Sequence, residues 1–169
     1  MIGDLAPQNN IESVICETDK LFSIIDANLI EDIRIKQTLA AYALSEEWSK
    51  LWKIADRLKR EVSILFDYDF KIWVDIGTIG KVVLSPPLGA KIPFQMWIHT
   101  HPYNAYWSET DLDTLACNTY LLDKAIVLGH DHYKETRKTF EITGKTLGKD
   151  GPLGSWTDEQ IKNYNESEL

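Results

Sequence analysis

The sequence predicts an α/β fold of the α+β kind, a single domain in which helices flank a mixed sheet. Three observations carry that expectation. The 169 residues suit one domain. Up to about Arg60, apolar residues recur at three-and-four spacing, the pattern of helices with one buried face. From Glu61 onward the pattern changes to β-branched and aromatic runs broken by Pro and Gly, the pattern of strands and turns.

Taken in order, residues 1–9 read as an irregular start. Ile11, Val14, Ile15, Leu21, Phe22 and Ile25 mark a helical face over residues 10–25, and Asp26 to Asn28 reads as a turn. A second helix is predicted over 29–44, with Ile30, Ile33, Gln37 and Ala41 aligned. Ser45 ahead of Glu46 and Glu47 suits a helix start, because a hydroxyl caps unpaired N–H groups and acids favour the positive end. The third helix then runs to about Arg60, with Trp48, Leu51, Trp52, Ala55 and Leu58 on its inner face. EVSILFDYDFKIWVDIG (61–77) reads as a hairpin turning near Asp67 to Asp69. KVVLSPP (81–87) reads as a third strand stopped by Pro86 and Pro87, and LGAKIP as a loop. FQMWIHTH (94–101) reads as a fourth strand, ended by Pro102. After a loop at 103–107, Ser108 opens a helix reaching about Asp123. KAIVLG (124–129) and TFEITG (139–144) read as two more strands. His130-Asp131-His132, with the charged YKETRK after it, reads as a hairpin turn. GKTLGKDGPLG (144–154) reads as a flexible linker, and Thr157-Asp-Glu-Gln160 as a capping box opening a short last helix.

Composition narrows the function classes. Lys plus Arg is 18 and Asp plus Glu is 26, a formal net charge of −8, so nucleic acid is not the expected partner. The basic run Lys50, Lys53, Arg57, Lys59, Arg60 fits the solvated side of one helix. The start MIGDLAPQNN is acidic and lacks the apolar core of a signal peptide. No apolar stretch is long enough to cross a bilayer, so no membrane partner is expected. The two cysteines, Cys16 and Cys117, form no CxxC pattern. A cytoplasmic protein with free thiols is the expectation, and any metal site has to be built from His and carboxylates.

WIHTHPYNAYWSETD (97–111) supplies those groups. Side chains alternate along a strand, so His99 and His101 project to one face with Trp97, while Met96, Ile98 and Thr100 face the other way. Pro102 ends the strand, which puts the pair at a mouth. Ser108-Glu-Thr-Asp111 then starts a helix whose buried face is Leu112, Leu115, Ala116, Thr119 and Leu122. At roughly 100° per residue Asp111 lies about 75° from the centre of that face and Asp113 about 125°. Asp111 is therefore the carboxylate able to reach the neighbouring strand. Two His and one carboxylate leave a fourth position open, as in catalytic zinc sites, and such a site needs a general base near the metal but not bound to it. Ser108 also reads as a plain N-cap. Trp97, Tyr103, Tyr106 and Trp107 surround the pair. Packing accounts for any one of them, and their place around a loop makes them candidates to line a substrate groove. The second His-x-His, His130 and His132, lacks a downstream acid and a helix start, and no ligand role is expected for it.

HTHPYNAYWSETD resembles the JAMM motif of the MPN-domain (JAB-like) zinc metalloproteases, His-x-His-Pro, a short loop and Ser-x-x-Asp, a motif shared with RadC-like proteins. The resemblance covers about residues 46–145 and implies an MPN/JAB-like catalytic domain there. It leaves 1–45 as an N-terminal helical extension and 146–169 as linker and short C-terminal helix. It implies Zn2+ on His99, His101 and Asp111, with Ser108 stabilising the tetrahedral intermediate. It also implies Glu61 as the general base, because Glu61 opens the strand that follows a helix. DIGTIG to LSPP is similar to the segment preceding the histidines in RadC-like proteins. The chain departs from the pattern in two places. PYNAYW has six residues where seven are usual, and Ser63 and Ile64 stand where small residues usually follow the glutamate. The implied activity is a peptidase or isopeptidase acting on a protein or peptide, such as the C-terminal tail of a ubiquitin-like or sulfur-carrier protein. The alternatives are a catalytically inactive MPN-type scaffold and a RadC-like protein with a DNA-related role.

Overall fold

A computed structural model describes residues 7–8, 18–77, 84, 87–140 and 144–164 of the chain. Four helices and a six-stranded mixed sheet make up the described part, a mixed α/β architecture. The helices α1 (Thr18–Asp26), α2 (Ile33–Leu44) and α3 (Trp48–Leu58) precede β1 (Val62–Phe66) and β2 (Ile72–Ile76). Then come β3 (Met96–Thr100), α4 (Glu109–Cys117), β4 (Lys124–Leu128), β5 (His132–Arg137), a 3-10 turn at Pro152–Ser155 and β6 (Lys162–Asn163).

Local bonds set the bounds of α2. The second helix starts at Ile33, four residues later than its apolar pattern, because the Asp32 carboxylate accepts the Arg34 N–H at 3.0 Å and caps it. Ser45 does not cap α3. It closes α2, its N–H donating to the Ala41 carbonyl, while Glu47 holds the α3 cap position with no side-chain cap bond. The inner face of α3 is as its spacing predicts, with Trp48, Leu51, Trp52, Ala55 and Leu58 all buried. Lys59, in the left-handed conformation, ends that helix and turns the chain into β1.

Strand order is β2-β1-β3-β4-β5-β6. Only β3 and β4 run parallel among these pairs, joined by the α4 crossover that a parallel pair requires. The other neighbours are antiparallel. Alternation then splits the core between the two faces. Ile64, Phe66, Ile98, Ile126 and Leu128 share one cluster with the apolar sides of α1, α2 and α3. Leu65, Trp97 and Ala125 face the other way, against Leu115 of α4 and with Phe94, Leu122 and Trp156.

The second half of the chain differs from its sequence pattern. The antiparallel partner of β4 is 132–137, with Tyr133, Glu135 and Thr136 buried despite the charges around them, and not the predicted strand at 139–144. Thr139 and Phe140 lie outside any strand, and 141–143 fall outside the described residues, as do 78–80 and, in the predicted strand at 81–87, residues 81–83 and 85–86. Glu135 can be buried in β5 because Lys124, Arg137 and Lys162 surround it at 3.4–3.6 Å. The Gly-rich stretch 144–154 packs through Leu147 and Leu153 against the cluster containing fully buried Trp156. No last helix forms at 157–160. The Thr157 hydroxyl does bond the Glu159 carboxylate at 2.7 Å, but the chain continues into β6.

Candidate metal centre

The centre is built at the carboxyl end of β3, beside the crossover to α4, where ligands commonly meet open α/β sheets. Alternation sends Trp97, His99 and His101 to the α4 side. His99 is wholly buried, and His101 and Asp111 nearly so. The loop after Pro102 brings the first turn of α4 back over the strand. Asp111 then lands on the histidines while Asp113 is exposed, as the helical angles require.

The His99 Nε2 lies 3.1 Å from Asp111 Oδ1, and the His101 Nε2 lies 3.1 Å from Asp111 Oδ2. One ligand atom from each of the three residues falls within 4.8 Å of the others, which makes this a group able to hold a metal ion. Ligands of a tetrahedral zinc, each about 2.0–2.1 Å from the ion, stand roughly 3.3 Å apart. The ring nitrogens of His99 supply the test of fit. Both are buried without a hydrogen-bond partner, so the short approach to Asp111 is not in hydrogen-bond alignment. The orphaned His99 Nε2, converging with His101 and a carboxylate, fits a cation between them.

The surroundings hold these groups in place. Burial pushes the Asp111 carboxyl up, but the contacts to His101 and His99 and the Ser108 N–H outweigh it and hold the group well below the usual carboxylate range. Asp111 thus remains an anion. Ser108 and Asp111 form a reciprocal capping box: the Asp111 N–H donates to Ser108 Oγ at 3.1 Å, and the Ser108 N–H donates to Asp111 Oδ2 at 2.9 Å. One side chain therefore caps the helix and presents its other oxygen to His99. The His99 ring stacks on Trp97 at 4.3 Å, with planes 12° apart. The Trp97 indole N–H donates in turn to Ser63 Oγ at 2.8 Å.

Glu61 sits two positions beyond the Ser63–His99 pair, so the β1–β3 register sets it across from His101. The Val62 N–H donates to Thr100 Oγ1 at 2.9 Å, which holds the strand ends together there. Glu61 is partly buried and lines a cavity of about 140 Å3 with His101, Trp52, Ala55, Thr100 and Pro102.

The aromatic residues divide. Trp97 is fully buried behind His99, so it supports that ring and lines no groove. Tyr103 and Tyr106 are exposed, and the Tyr106 ring meets His101 edge-on at 4.9 Å. Trp107 lies 6.0 Å from His99, its indole N–H buried without a partner. Three supporting residues escape the sequence pattern. Ser63 was legible only as a departure from a motif. The Trp52 indole N–H donates to the His101 carbonyl at 2.8 Å, a contact across 49 residues that no local signal announces. His132 belongs to the second His-x-His and bonds the loop over the site, at Ala105.

Compared with protein-family models, curated proteins and solved structures, the chain matches none. No helix among the described residues is long and apolar enough to cross a membrane.

Proposed function

We propose that the chain is a zinc-dependent peptidase or isopeptidase of the JAMM type, on an MPN/JAB-like fold. The observation that carries this reading is the buried meeting of His99, His101 and Asp111, with the His99 nitrogens unpaired. Two imidazoles and one carboxylate are the ligand set of a catalytic zinc with one open position, whereas a closed structural site takes four protein ligands. Bound there, zinc lowers the pKa of water and polarises a carbonyl.

The protein's own groups account for the rest. Glu61, across from His101, takes a proton from the attacking water and delivers it to the departing amine. Ser108 Oγ already accepts the Asp111 N–H, and its hydroxyl proton is available to the carbonyl oxygen of the substrate. Tyr103 and Tyr106 offer aromatic surface beside the site to an extended peptide. The substrate this reading favours is the C-terminal tail of a ubiquitin-like or sulfur-carrier protein.

Metal analysis of the chain purified without added metal, beside the His99→Ala, His101→Ala variant, tests the ligands. One zinc per chain, lost in the variant, is expected. Glu61→Gln is expected to keep the zinc and lose hydrolysis of ubiquitin-like fusions. Full hydrolysis by that variant refutes the assigned base. A zinc-loaded native chain inert to all such fusions favours a metal-holding scaffold instead.

A further inference from the structure

The turn joining β4 to β5 is bonded to the loop that covers the metal centre. The Ala105 N–H donates to His132 Nε2 at 2.9 Å, and the His130 N–H donates to the Tyr103 carbonyl at 2.7 Å. Gly129 closes the approach, since a Cβ there would stand 2.7 Å from both Ala105 N and Tyr103 O. The turn itself is fixed from behind. The Gly129 N–H donates to the His132 carbonyl at 2.8 Å, and the Tyr164 hydroxyl donates to the Gly129 carbonyl at 2.5 Å.

The chemistry of imidazole makes one of these bonds selective. A backbone N–H can only donate, so His132 Nε2 has to carry a lone pair. The ring proton therefore sits on Nδ1, which lies 2.6 Å from Asp131 Oδ1 and donates to it. Asp131 fixes the tautomer, and the tautomer fixes the acceptor. Ala105 is itself 2 % exposed, so its N–H has no ready replacement partner in water. The residues next along the loop are Tyr106, against His101, and Trp107, near His99.

We propose that His132, as the Nδ1-protonated neutral imidazole, is a positioning residue that latches loop 102–107 over the metal centre. It touches neither the ligands nor the space between them. The role assigned to the loop rests on the zinc reading, whereas the latch itself does not.

Two measurements on the metal-free full chain test the latch. Long-range 15N–1H spectra are expected to show the His132 proton on Nδ1 and a bare Nε2; a proton on Nε2 overturns the proposal. Amide exchange over residues 103–107 then compares native protein with His132→Ala and His132→Gln. The alanine variant is expected to exchange about tenfold faster, as loss of about 1.4 kcal/mol of protection gives. Glutamine keeps a side-chain acceptor and is expected to restore most of the protection. Equal exchange in native and alanine proteins overturns the latch, as does an alanine-like rate in the glutamine variant. Zinc titration of the same proteins separates the two readings. If the metal reading fails, no form binds zinc while the exchange difference remains. If the latch fails, zinc binds and the difference is absent.

Discussion

His99 Nε2 and Asp111 Oδ1 stand 3.1 Å apart in the interior without forming a hydrogen bond. In a neutral ring whose Nε2 carries a lone pair, two electron-rich atoms face each other at that distance. A cation between them turns the contact into attraction. A cation bound there would couple metal binding to folding.

Removal of metal is expected to lower the melting temperature. Zinc at a hundred times its dissociation constant stabilises by about 2.7 kcal/mol, which in a domain of this size corresponds to roughly 5–10 °C. Calorimetry with chelator and with one equivalent of zinc reads the shift. The gap is expected to close as pH falls, because the ligands bind metal only when deprotonated. Identical melting curves with and without zinc at neutral pH would sink the metal centre.

Ser63→Ala is expected to weaken both fold and site. It leaves the Trp97 indole N–H buried without an acceptor, at a cost of about 1–3 kcal/mol. Trp97 stacks on His99, so freedom in the indole passes to the ligand ring. Loss of such outer support lowers metal affinity by roughly 10- to 100-fold. Urea unfolding and zinc competition measure the two effects separately. A variant that unfolds earlier yet binds zinc as tightly as the native chain would show that the indole does not orient His99.

These residues show what the sequence exposed. His99, His101 and Asp111 were legible because two periods fix them: strand alternation for the pair and helical angle for the acid. The hairpin at 61–77 and the inner face of α3 were legible for the same reason. Ser63 and Trp52 were not, since each acts through one long-range contact, across 34 and 49 residues. The β5 strand was missed because Lys134, Glu135 and Arg137 look like a solvated turn. Its pairing with β4 and the cations around Glu135 override that local preference. The helix predicted from Thr157 does not form over 157–163: the capping residues are present, but the chain there pairs with β5 as β6.

Acid sensitivity away from the metal centre is expected to come from Asp67. It is fully buried at the β1–β2 turn, where its carboxylate accepts the N–H groups of Asp69, Lys71 and Lys91 and the Trp73 indole. Burial pushes this carboxyl up, and the four donors together outweigh it and hold the group below its ordinary value. A depressed folded-state pKa stabilises above the unfolded value of about 3.9, and that stability is lost as pH falls through the folded value. Asp67→Asn is therefore expected to cost about 1–3 kcal/mol near pH 7 and progressively less below pH ~4. Chemical unfolding at both pH values reads the difference, and a penalty that stayed constant or grew in acid would contradict this assignment.

Gly129→Ala isolates the fit between the β4–β5 turn and the loop above the centre. The added Cβ meets Ala105 N and Tyr103 O at 2.7 Å and the Asn104 carbonyl carbon at 3.1 Å. All three are backbone atoms, so no side-chain rotation relieves the clash and the loop or the turn has to move. Overpacking of this kind costs about 1–3 kcal/mol. Gly144→Ala is the control, because a Cβ there meets nothing within 4 Å. Zinc stoichiometry is expected to survive Gly129→Ala, since His99 stands on β3, Asp111 on α4, and His101 just past β3 is tied to β4 by its N–H to the Leu128 carbonyl. Amide exchange is expected to rise over 103–107. Should Gly129→Ala prove as stable as Gly144→Ala, the turn and the loop are not in the close contact described, and the ordering of Tyr106 and Trp107 over the histidines needs another cause.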